Sequence, residues 1–315
     1  MYYIGIDLGG TGAKAGVVTE DGKIIAKSTA STKEVIGYEN IVKVMADITY
    51  DVMKTANITA DDVKSIGIGC PGSIDDKNGV VYYSNNIVME NAPIADEMKN
   101  YIDKPIYIGN DANCAALGEY WAFKDDEMKN FVLITLGTGI GGGVIIDGKL
   151  YTGFNGVAGE LGHTVIQMDG EACSCGRRGC WEAYASATAL IRDTERAAKE
   201  NPDSVLNKMI SENNGKANGK MPFDAAQMGD NAGKKVVENY VKYLGEGITD
   251  MINIFQPTLI AIGGGVSNQG DNLIKPLGEY VYPKVYGAGL APATKIVTAS
   301  LGNDAGIIGA AFLGK

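Results

Sequence analysis

The strongest constraint on the fold is a glycine-rich loop between two short apolar runs, and the chain contains this pattern twice. Near the N-terminus the apolar run Tyr2 to Ile6 leads into the loop Asp7-Leu8-Gly9-Gly10-Thr11-Gly12. The same order returns with a predicted strand over Phe131 to Thr135 and a glycine loop from Gly137 to Gly143. In both places an apolar run and an Asp-Gly turn follow, which is typical of a β-hairpin. The repeat predicts two related lobes, each with its own sheet, and a cleft between them.

The two glycine loops point to phosphate binding. Gly137-Thr138-Gly139-Ile140-Gly141-Gly142 matches the string G-x-G-x-x-G, but a dinucleotide fingerprint needs a helix after it, and a β-type run follows here. The Walker string G-x-x-x-x-G-K-[ST] does not occur. Glycine backbone and the hydroxyls of Thr11 and Thr138 are suited to an anion. A plain glycine hairpin or bulge explains either loop alone; the pair favours a clamp on one polyphosphate.

A third glycine cluster and one carboxylate extend this interpretation. The apolar run that begins at Leu259 ends in Gly263-Gly264-Gly265-Val266, and three glycines let a flat nucleoside lie against the backbone. Asp7, at the end of the first strand, is placed to hold Mg²⁺ through water. The alternative for Asp7 is a turn carboxylate that accepts hydrogen bonds from loop N–H groups.

Charge and hydropathy exclude several classes of protein. Twenty-eight Lys and Arg residues against 38 Asp and Glu leave a net charge of −10, which disfavours binding to nucleic acid or to an anionic membrane. There is no basic leader with a cleavage site and no apolar stretch long enough to span a bilayer. We therefore expect a cytoplasmic protein without nucleic-acid or membrane partners.

Between the predicted strands, apolar residues recur at helical spacing, and this alternation of strands and helices indicates an α/β fold. The stretch from Asn201 to Asp230, with few apolar residues, is predicted to be loop. The predicted helices are Tyr38 to Ala56, Ala112 to Phe123, Trp181 to Lys199, Lys234 to Phe255 and Ala305 to Leu313.

Three of the five cysteines are grouped in a pattern suited to metal. Cys173, Cys175 and Cys180 follow His163, the only histidine, and together offer three thiolates and one imidazole. Such a set closes a tetrahedral Zn²⁺ site without an open position, so zinc is predicted to be structural. Three reduced cysteines packed in a glycine-rich loop are the alternative.

One aspartate is a candidate catalytic base. Asp111 follows a predicted strand and opens a helix in Gly109-Asn110-Asp111-Ala112-Asn113. A carboxylate that orients an attacking hydroxyl and accepts its proton is a recurrent part of phosphoryl-transfer sites. A helix N-cap at Asn110 or Asp111 explains the same residues without catalysis.

Taken together, these motifs resemble the ROK family of sugar kinases and repressors, within the superfamily of sugar kinases, heat-shock chaperones and actin. The first phosphate motif, the second and the adenosine motif match Asp7 to Thr11, Leu136 to Gly139 and Gly263 to Val266. The most specific match is Glu160-Leu161-Gly162-His163 followed by Cys173-Ser174-Cys175-Gly176-Arg177-Arg178-Gly179-Cys180-Trp181-Glu182. The chain departs from the family at Gly12, where a lysine is common; Lys14 follows two residues later.

The resemblance implies a two-lobed actin-like, ribonuclease H-like fold. Residues 1–111 and about 300–315 would form the small lobe, and residues 112–299 the large lobe. It also implies a homodimer, one structural zinc per chain and Mg²⁺ with ATP. The implied nucleotide contacts are Asp7, Gly9, Gly10, Thr11, Gly12, Lys14, Gly137, Thr138, Gly139, Gly263, Gly264, Gly265 and Val266. The implied sugar contacts are Gly72, Ser73, Asn85, Asn86, Asn110, Asp111, Glu160, His163 and Glu182, of which Asp111 would be catalytic.

Several of these sugar contacts have simpler explanations in the sequence. Ser73 and Asn85 are of residue types common in turns. Glu160 and Glu182 are also explained as exposed charges, the first in a loop and the second at the start of a helix. His163 would bind zinc through one ring nitrogen and donate a hydrogen bond to a sugar hydroxyl from the other.

The activity implied by the resemblance is ATP-dependent phosphorylation of a hexose at its 6-hydroxyl. The zinc-loop sequence resembles that of glucokinases and N-acetylmannosamine kinases, whereas fructokinases of the family more often have a histidine in place of one cysteine. Of the two sugars, glucose is the expected substrate. N-acetylmannosamine or fructose kinase and a polyphosphate donor are alternatives within the family. A sugar-sensing regulator without catalysis is the alternative from another class; repressors of the family carry an N-terminal helix-turn-helix, for which no room precedes Asp7.

Overall fold

The computed structural model describes residues 1–84, 87–125, 127–290 and 292–315. Two compact units divide the chain. The first comprises Met1–Lys129, Gly143–Gly159 and Ser300–Lys315, and the second Asn130–Gly142 and Glu160–Ala299. Residues 112–129 and 143–159 thus group with the first unit, whereas the family resemblance assigned them to the large lobe. The division into lobes stays a prediction.

The described residues contain strands and helices in alternation, as the sequence predicts. The strands are β1 (Tyr2–Gly9), β2 (Gly12–Val18), β3 (Ile24–Ser31), β4 (Val63–Cys70), β5 (Ser73–Asp75), β6 (Val80–Ser84), β7 (Met89–Ala92), β8 (Ile106–Asn110), β9 (Phe131–Leu136), β10 (Ile140–Ile146), β11 (Lys149–Leu150), β12 (Leu259–Gly263) and β13 (Lys295–Thr298). The helices are α1 (Tyr38–Thr55), α2 (Ile94–Lys99), α3 (Asp111–Phe123), α4 (Glu182–Ala185), α5 (Ala187–Glu200), α6 (Val205–Glu212), α7 (Met221–Gln227), α8 (Asn231–Phe255), α9 (Asp271–Val281) and α10 (Ala305–Ala311).

The sheets carry the internal repeat. The first has the order β3-β2-β1-β4-β8 and the second the order β11-β10-β9-β12-β13. In the first, β1 pairs antiparallel with β2 and parallel with β4, which is parallel to β8. In the second, β12 is parallel to both β9 and β13. The predicted α/β fold with two related sheets is therefore observed. A third sheet, β5-β6-β7, lies in the first unit.

Register aligns candidate site residues at one edge of the first sheet. Asp7 of β1 pairs with Gly69 of β4, and Cys70, the next residue, pairs with Asn110 of β8. Since these three strands are parallel, Asp7, Cys70 and Asn110 lie at their carboxyl ends. This is the edge at which open α/β sheets bind ligands.

Four glycines allow α10 to pack closely in the first unit. A Cβ on Gly5 would overlap the carbonyl oxygen of Ile307, and one on Gly67 that of Ala310. At the contact with α3, a Cβ on Gly309 would overlap the carbonyl oxygen of Cys114. A Cβ on Gly118 would likewise overlap that of Ala305. These four glycines let the backbone of α10 touch a sheet and a second helix, a contact that the glycine motifs in the sequence do not predict.

Two sequence-based element assignments are wrong. Residues 201–230, predicted as loop, contain α6 and α7, because Leu206 and Met221 join a small buried cluster made largely of alanines. The single helix predicted from Trp181 to Lys199 is interrupted at Ser186, whose side chain accepts a hydrogen bond from Ala189 N and caps α5. The other predicted helices agree with α1, α3, α8 and α10 to within a few residues.

Candidate active site

The first glycine hairpin is tighter than the sequence predicts. Gly9 and Gly12 are paired strand residues, so the turn itself is Gly10 and Thr11. Asp7 lies inside β1, opposite Lys14 of β2, and the Lys14 amine is 3.5 Å from its carboxylate. The interpretation of Asp7 as a turn residue is therefore wrong. Lys14 places its positive charge beside Asp7, whereas Gly12 occupies the position where the family commonly has lysine.

The second glycine loop is fastened through its carbonyl oxygens. Gly137 O accepts from Ala187 N at 2.9 Å, Thr138 O from the Thr188 hydroxyl at 2.7 Å, and Gly139 O from Gly137 N at 3.0 Å. Because protein donors occupy these carbonyls, the loop does not need to present them to a ligand. Anions are bound by N–H groups rather than carbonyls, so this orientation suits a phosphate-binding loop.

The third glycine cluster lies beside the second loop. Gly264 has a φ of +84°, and a Cβ there would overlap the backbone of Leu136, the residue before Gly137. A Cβ on Gly265 would have no atom within 4 Å, and the Val266 side chain is buried. Val266 can therefore offer a ligand its backbone but not its side chain. The second unit thus brings together the two motifs that the resemblance assigns to phosphate and adenosine.

Asp111 and Asn110 lie where β8 passes into α3. The Asn110 side chain is the N-cap: its oxygen accepts from Ala112 N at 3.0 Å and from Asn113 N at 3.2 Å. Asp111 accepts from Ala112 N at 2.9 Å, a donor that Asn110 already satisfies. Of the two cap candidates in the sequence, Asn110 holds that position. The Asp111 carboxylate is therefore not required to begin the helix.

Gly72 and Ser73 lie beside Asn110. The Asn110 amide donates to Gly72 O at 3.2 Å. Gly72 has a φ of +101°, and a Cβ there would overlap Tyr83 O, so the position requires glycine. Ser73 begins β5 and pairs with Tyr83. The two remaining predicted sugar contacts, Asn85 and Asn86, lie outside the described residues.

Two buried thiols lie near the carboxylates of the first unit. Burial raises the pKa of Cys70, and the negative charges of Asp111 and Asp7 raise it further. The pKa of the Cys114 thiol is raised for the same reasons, with Cys70 as an additional neighbour. Both thiols therefore stay protonated and add no negative charge near Asp7 and Asp111.

The four predicted metal ligands converge in the second unit. The ligand atoms of His163, Cys173, Cys175 and Cys180 all lie within 4.8 Å of one another. Cys175 Sγ and Cys180 Sγ are 3.7 Å apart, and Cys173 Sγ is 3.6 Å from His163 Nδ1. Zn–S bonds of about 2.3 Å in a tetrahedron place two sulfurs about 3.8 Å apart, whereas a disulfide requires about 2.05 Å. The cluster is compatible with zinc, and the cysteines are not paired as disulfides.

Hydrogen bonding and burial affect the thiols of this cluster differently. A backbone hydrogen bond at Arg177 lowers the pKa of Cys175, whereas burial and the neighbouring cysteines raise the pKa of Cys180 to about 12. A bound cation favours the thiolate form, and three thiols facing one imidazole are a donor set that Zn²⁺ prefers.

The two predicted sugar carboxylates of the second unit have different surroundings. Glu160 is exposed and precedes the helical turn that carries His163. Glu182 begins α4, and its Oε2 accepts from Ile140 N at 3.0 Å, while its Oε1 is 3.3 Å from the Ser174 hydroxyl. Glu182 is therefore more than an exposed helix-start charge.

Residues that belong to none of the sequence motifs support them in the fold. Ala187 and Thr188 hold the second loop, and Glu119 of α3 is a buried carboxylate that accepts hydrogen bonds from Ser300 and Leu301. The available signal for Glu119 was an acidic residue inside the otherwise apolar stretch from Ala115 to Phe123. A charge there requires a buried partner.

Comparison with known proteins gives the family. The ROK family model matches residues 3–315, so the chain belongs to the ROK family, and the predicted resemblance is confirmed. The chain is 39% identical to a glucokinase of Thermotoga maritima over 99% of this chain and 96% of that protein. It is 38% identical to a glucokinase of Halalkalibacterium halodurans over 100% of this chain and 95% of that protein.

A solved structure supports the same grouping. The crystal structure of a ROK family glucokinase from Streptomyces griseus in complex with glucose and AMPPNP has a TM-score of 0.80 and 34% identity, with 99% of each chain covered. The predicted fold class is confirmed. In the part of the chain that the structure describes, none of the helices has both the length and the apolar character needed to cross a membrane.

Proposed function

We propose that this chain is an ATP-dependent sugar kinase that phosphorylates glucose at its 6-hydroxyl. The observation that carries the proposal is the placement of Asp111 at the carboxyl edge of the first sheet, together with Asp7, while Asn110 provides the helix cap. Its similarity along almost its whole length to glucokinases, one of them solved with glucose and AMPPNP, supports ATP and glucose as substrates.

In the proposed reaction Asp111 orients the 6-hydroxyl and accepts its proton as the oxygen attacks the γ-phosphorus of ATP. The new O–P bond forms as the bond to the leaving ADP breaks, so the products are glucose 6-phosphate and ADP. Protein kinases use an aspartate in the same way. Asn110, Gly72 and Ser73 would hold the sugar beside Asp111.

The proposed nucleotide site uses the three glycine motifs. Gly137 N donates to Gly139 O within the second loop, so the N–H groups of Thr138 and Gly139 would bind phosphate oxygens there. In the first loop the N–H groups of Gly9 to Gly12 would do the same, with the hydroxyls of Thr11 and Thr138 as further donors. Gly263 to Val266 would lie against adenosine, and Lys14 would add a positive charge. Asp7 would hold Mg²⁺ through water; when bound, this ion neutralises charge on the β- and γ-phosphates.

We assign zinc a structural role, with one ion per chain bound by His163, Cys173, Cys175 and Cys180. Four protein ligands leave no position for substrate, so zinc would not take part in the chemistry. His163 Nδ1 faces the thiols. Its Nε2 would then carry the proton and donate to a sugar hydroxyl, with Glu160 and Glu182 accepting from neighbouring hydroxyls.

The test of the proposal is Asp111→Asn, with Asp271→Asn as the matched control. Asp271 also opens a helix, α9, and is exposed. We expect Asp111→Asn to lower kcat by about 10²–10⁴ with little change in glucose affinity or Tm, and the control to be unaffected. Near-normal turnover of Asp111→Asn, together with a stability loss of about 1 kcal/mol in Asp111→Ala, would instead identify Asp111 as a helix cap.

A coupled assay with ATP and a panel of hexoses identifies the substrate. We expect glucose to have the highest kcat/KM, ahead of N-acetylmannosamine and fructose. Tight sugar binding without turnover on any hexose would refute the kinase and favour a sugar-sensing regulator. The cytoplasmic location and the homodimer remain proposals, which cell fractionation and analytical ultracentrifugation test.

A further inference from the structure

We propose that Glu182 couples the zinc loop, residues 173–180, to the second phosphate loop, residues 137–140, so that affinity for nucleotide depends on zinc. This inference rests on the proposed function, because it takes the first loop to bind zinc and the second to bind phosphate. It gives Glu182 a positioning role in addition to the sugar contact proposed above.

One carboxylate touches both loops. Glu182 Oε2 accepts from Ile140 N at 3.0 Å. Oε1 lies 3.3 Å from the Ser174 hydroxyl, which donates to it, and 3.8 Å from Cys173 Sγ. The two oxygens of a single rigid, planar group are therefore divided between the segments, and a change in the position of one segment is transmitted to the other.

The contact with the phosphate loop leaves little room for adjustment. A Cβ on Gly139 would overlap Glu182 Oε2, so the carboxylate lies directly against the loop backbone. The residues that follow strengthen the attachment, since Ala187 N and the Thr188 hydroxyl hold the carbonyls of Gly137 and Thr138 at 2.9 and 2.7 Å. The start of α4 and the start of α5 therefore form one support for the loop.

The position of this support depends on the zinc loop. Glu182 is two residues beyond Cys180, and α4 is only four residues long, without a side-chain cap. The zinc loop turns at Gly176 and Gly179, which have φ values of +87° and +81°, and it contains few buried side chains. Backbone hydrogen bonds also hold this loop, among them those from Cys173 N to Arg177 O and from Gly179 N to Glu171 O. A bound metal would add the cross-link between the three cysteines and His163, and its loss would free Ser174 to move away from Glu182 Oε1.

The experiment measures the affinity for AMPPNP with Mg²⁺ by calorimetry, without sugar, so that no turnover is involved. Four samples form a cycle: wild type and Glu182→Ala, each zinc-loaded and after chelation. We expect Glu182→Ala and chelation each to weaken AMPPNP binding about tenfold. Together they should also weaken it about tenfold, and not a hundredfold, because both break the same connection.

Three further variants keep the test decisive if chelation disturbs folding. Ser174→Ala retains all four metal ligands and should weaken AMPPNP binding about twofold to threefold at unchanged zinc content. Glu182→Gln retains an acceptor for Ile140 N and should recover most of the affinity lost in Glu182→Ala. Glu200→Ala, at the exposed end of α5, should leave affinity unchanged.

The results that overturn the coupling differ from those that overturn the kinase. AMPPNP affinity that is unchanged by chelation and by Ser174→Ala refutes the coupling, as do independent effects of chelation and Glu182→Ala. Failure of the zinc-loaded wild type to bind AMPPNP at all refutes the proposed kinase instead.

Discussion

Glu119 allows a prediction about stability whose size follows from its contacts. This carboxylate lies on α3, eight residues after Asp111, and is 1% exposed. Its Oε2 accepts from Ser300 N at 2.8 Å and from the Ser300 hydroxyl at 3.0 Å, and its Oε1 accepts from Leu301 N at 2.7 Å. Ser300 is the residue at which the chain re-enters the first unit. Glu119 therefore fastens this re-entry segment to the helix that begins with Asp111.

Glu119→Gln changes the hydrogen bonding with almost no change in shape. If the amide oxygen takes the place of Oε2, both bonds from Ser300 remain, but the amide NH₂ then faces Leu301 N. One hydrogen bond to a charged acceptor, worth about 1.5–3 kcal/mol, is lost, and a buried N–H is left without an acceptor at a cost of about 1–3 kcal/mol. Because these terms overlap, we expect the free energy of unfolding of the first unit to fall by about 2–4 kcal/mol.

Urea unfolding followed by tryptophan fluorescence measures this change, with reference and variants both carrying Trp181→Phe so that Trp121 is the only tryptophan. Trp121 is on α3 and its ring centroid lies 4.9 Å from that of Phe312, so it reports on the first unit. The midpoint should shift with little change in the slope m. Ser300→Ala, which removes only the hydroxyl donor, should cost about 1 kcal/mol. If Glu119→Gln is within 0.5 kcal/mol of wild type, the three hydrogen bonds do not provide the stability assigned to them.

Three further predictions concern a helix contact, a charge and the metal. Gly309→Ala should lower the free energy of unfolding by about 1–3 kcal/mol or more, because the added Cβ would overlap Cys114 O. Gly265→Ala is the control, since its Cβ would meet open space, and it should leave that free energy unchanged. Urea unfolding measures both. Burial raises the pKa of Asp230, but hydrogen bonds from Gly233 N and Val205 N outweigh it, so the pKa is lowered overall. The resulting stabilisation is present above the unfolded pKa of about 3.9 and lost as pH falls. Asp230→Asn removes the charge but keeps an N-cap. The difference in Tm between wild type and Asp230→Asn should therefore become smaller from roughly pH 5 to pH 3. Elemental analysis should find one zinc per wild-type chain and less in Cys175→Ser.

The hairpins and helices that were predicted correctly, and the Cys/His cluster, are specified by residues close to one another along the chain. The repeated hairpins, the long helices α1 and α8 and the ligand set from His163 to Cys180 depend on turn chemistry, periodicity and spacing. The helices between residues 201 and 230 were missed because alanines provide much of their buried face, and alanine scarcely alters an apolar pattern. Ser186 was missed as a cap because it falls within a continuous helical periodicity, where only the hydrogen bond to Ala189 N identifies it.

The supports of the candidate site could not be predicted because they are formed by residues far apart in the chain. Glu119 and Ser300 are separated by 181 positions, and Glu182 and Ile140 by 42. In both pairs a carboxylate accepts from backbone N–H groups, and any residue except proline can supply such a donor. The sequence therefore does not show which residue donates the backbone N–H, whereas a Cys or His metal ligand can be recognised by its residue type. Hence the residues proposed to bind sugar, phosphate and zinc were named from the sequence, but the residues that hold their loops were found only in the fold.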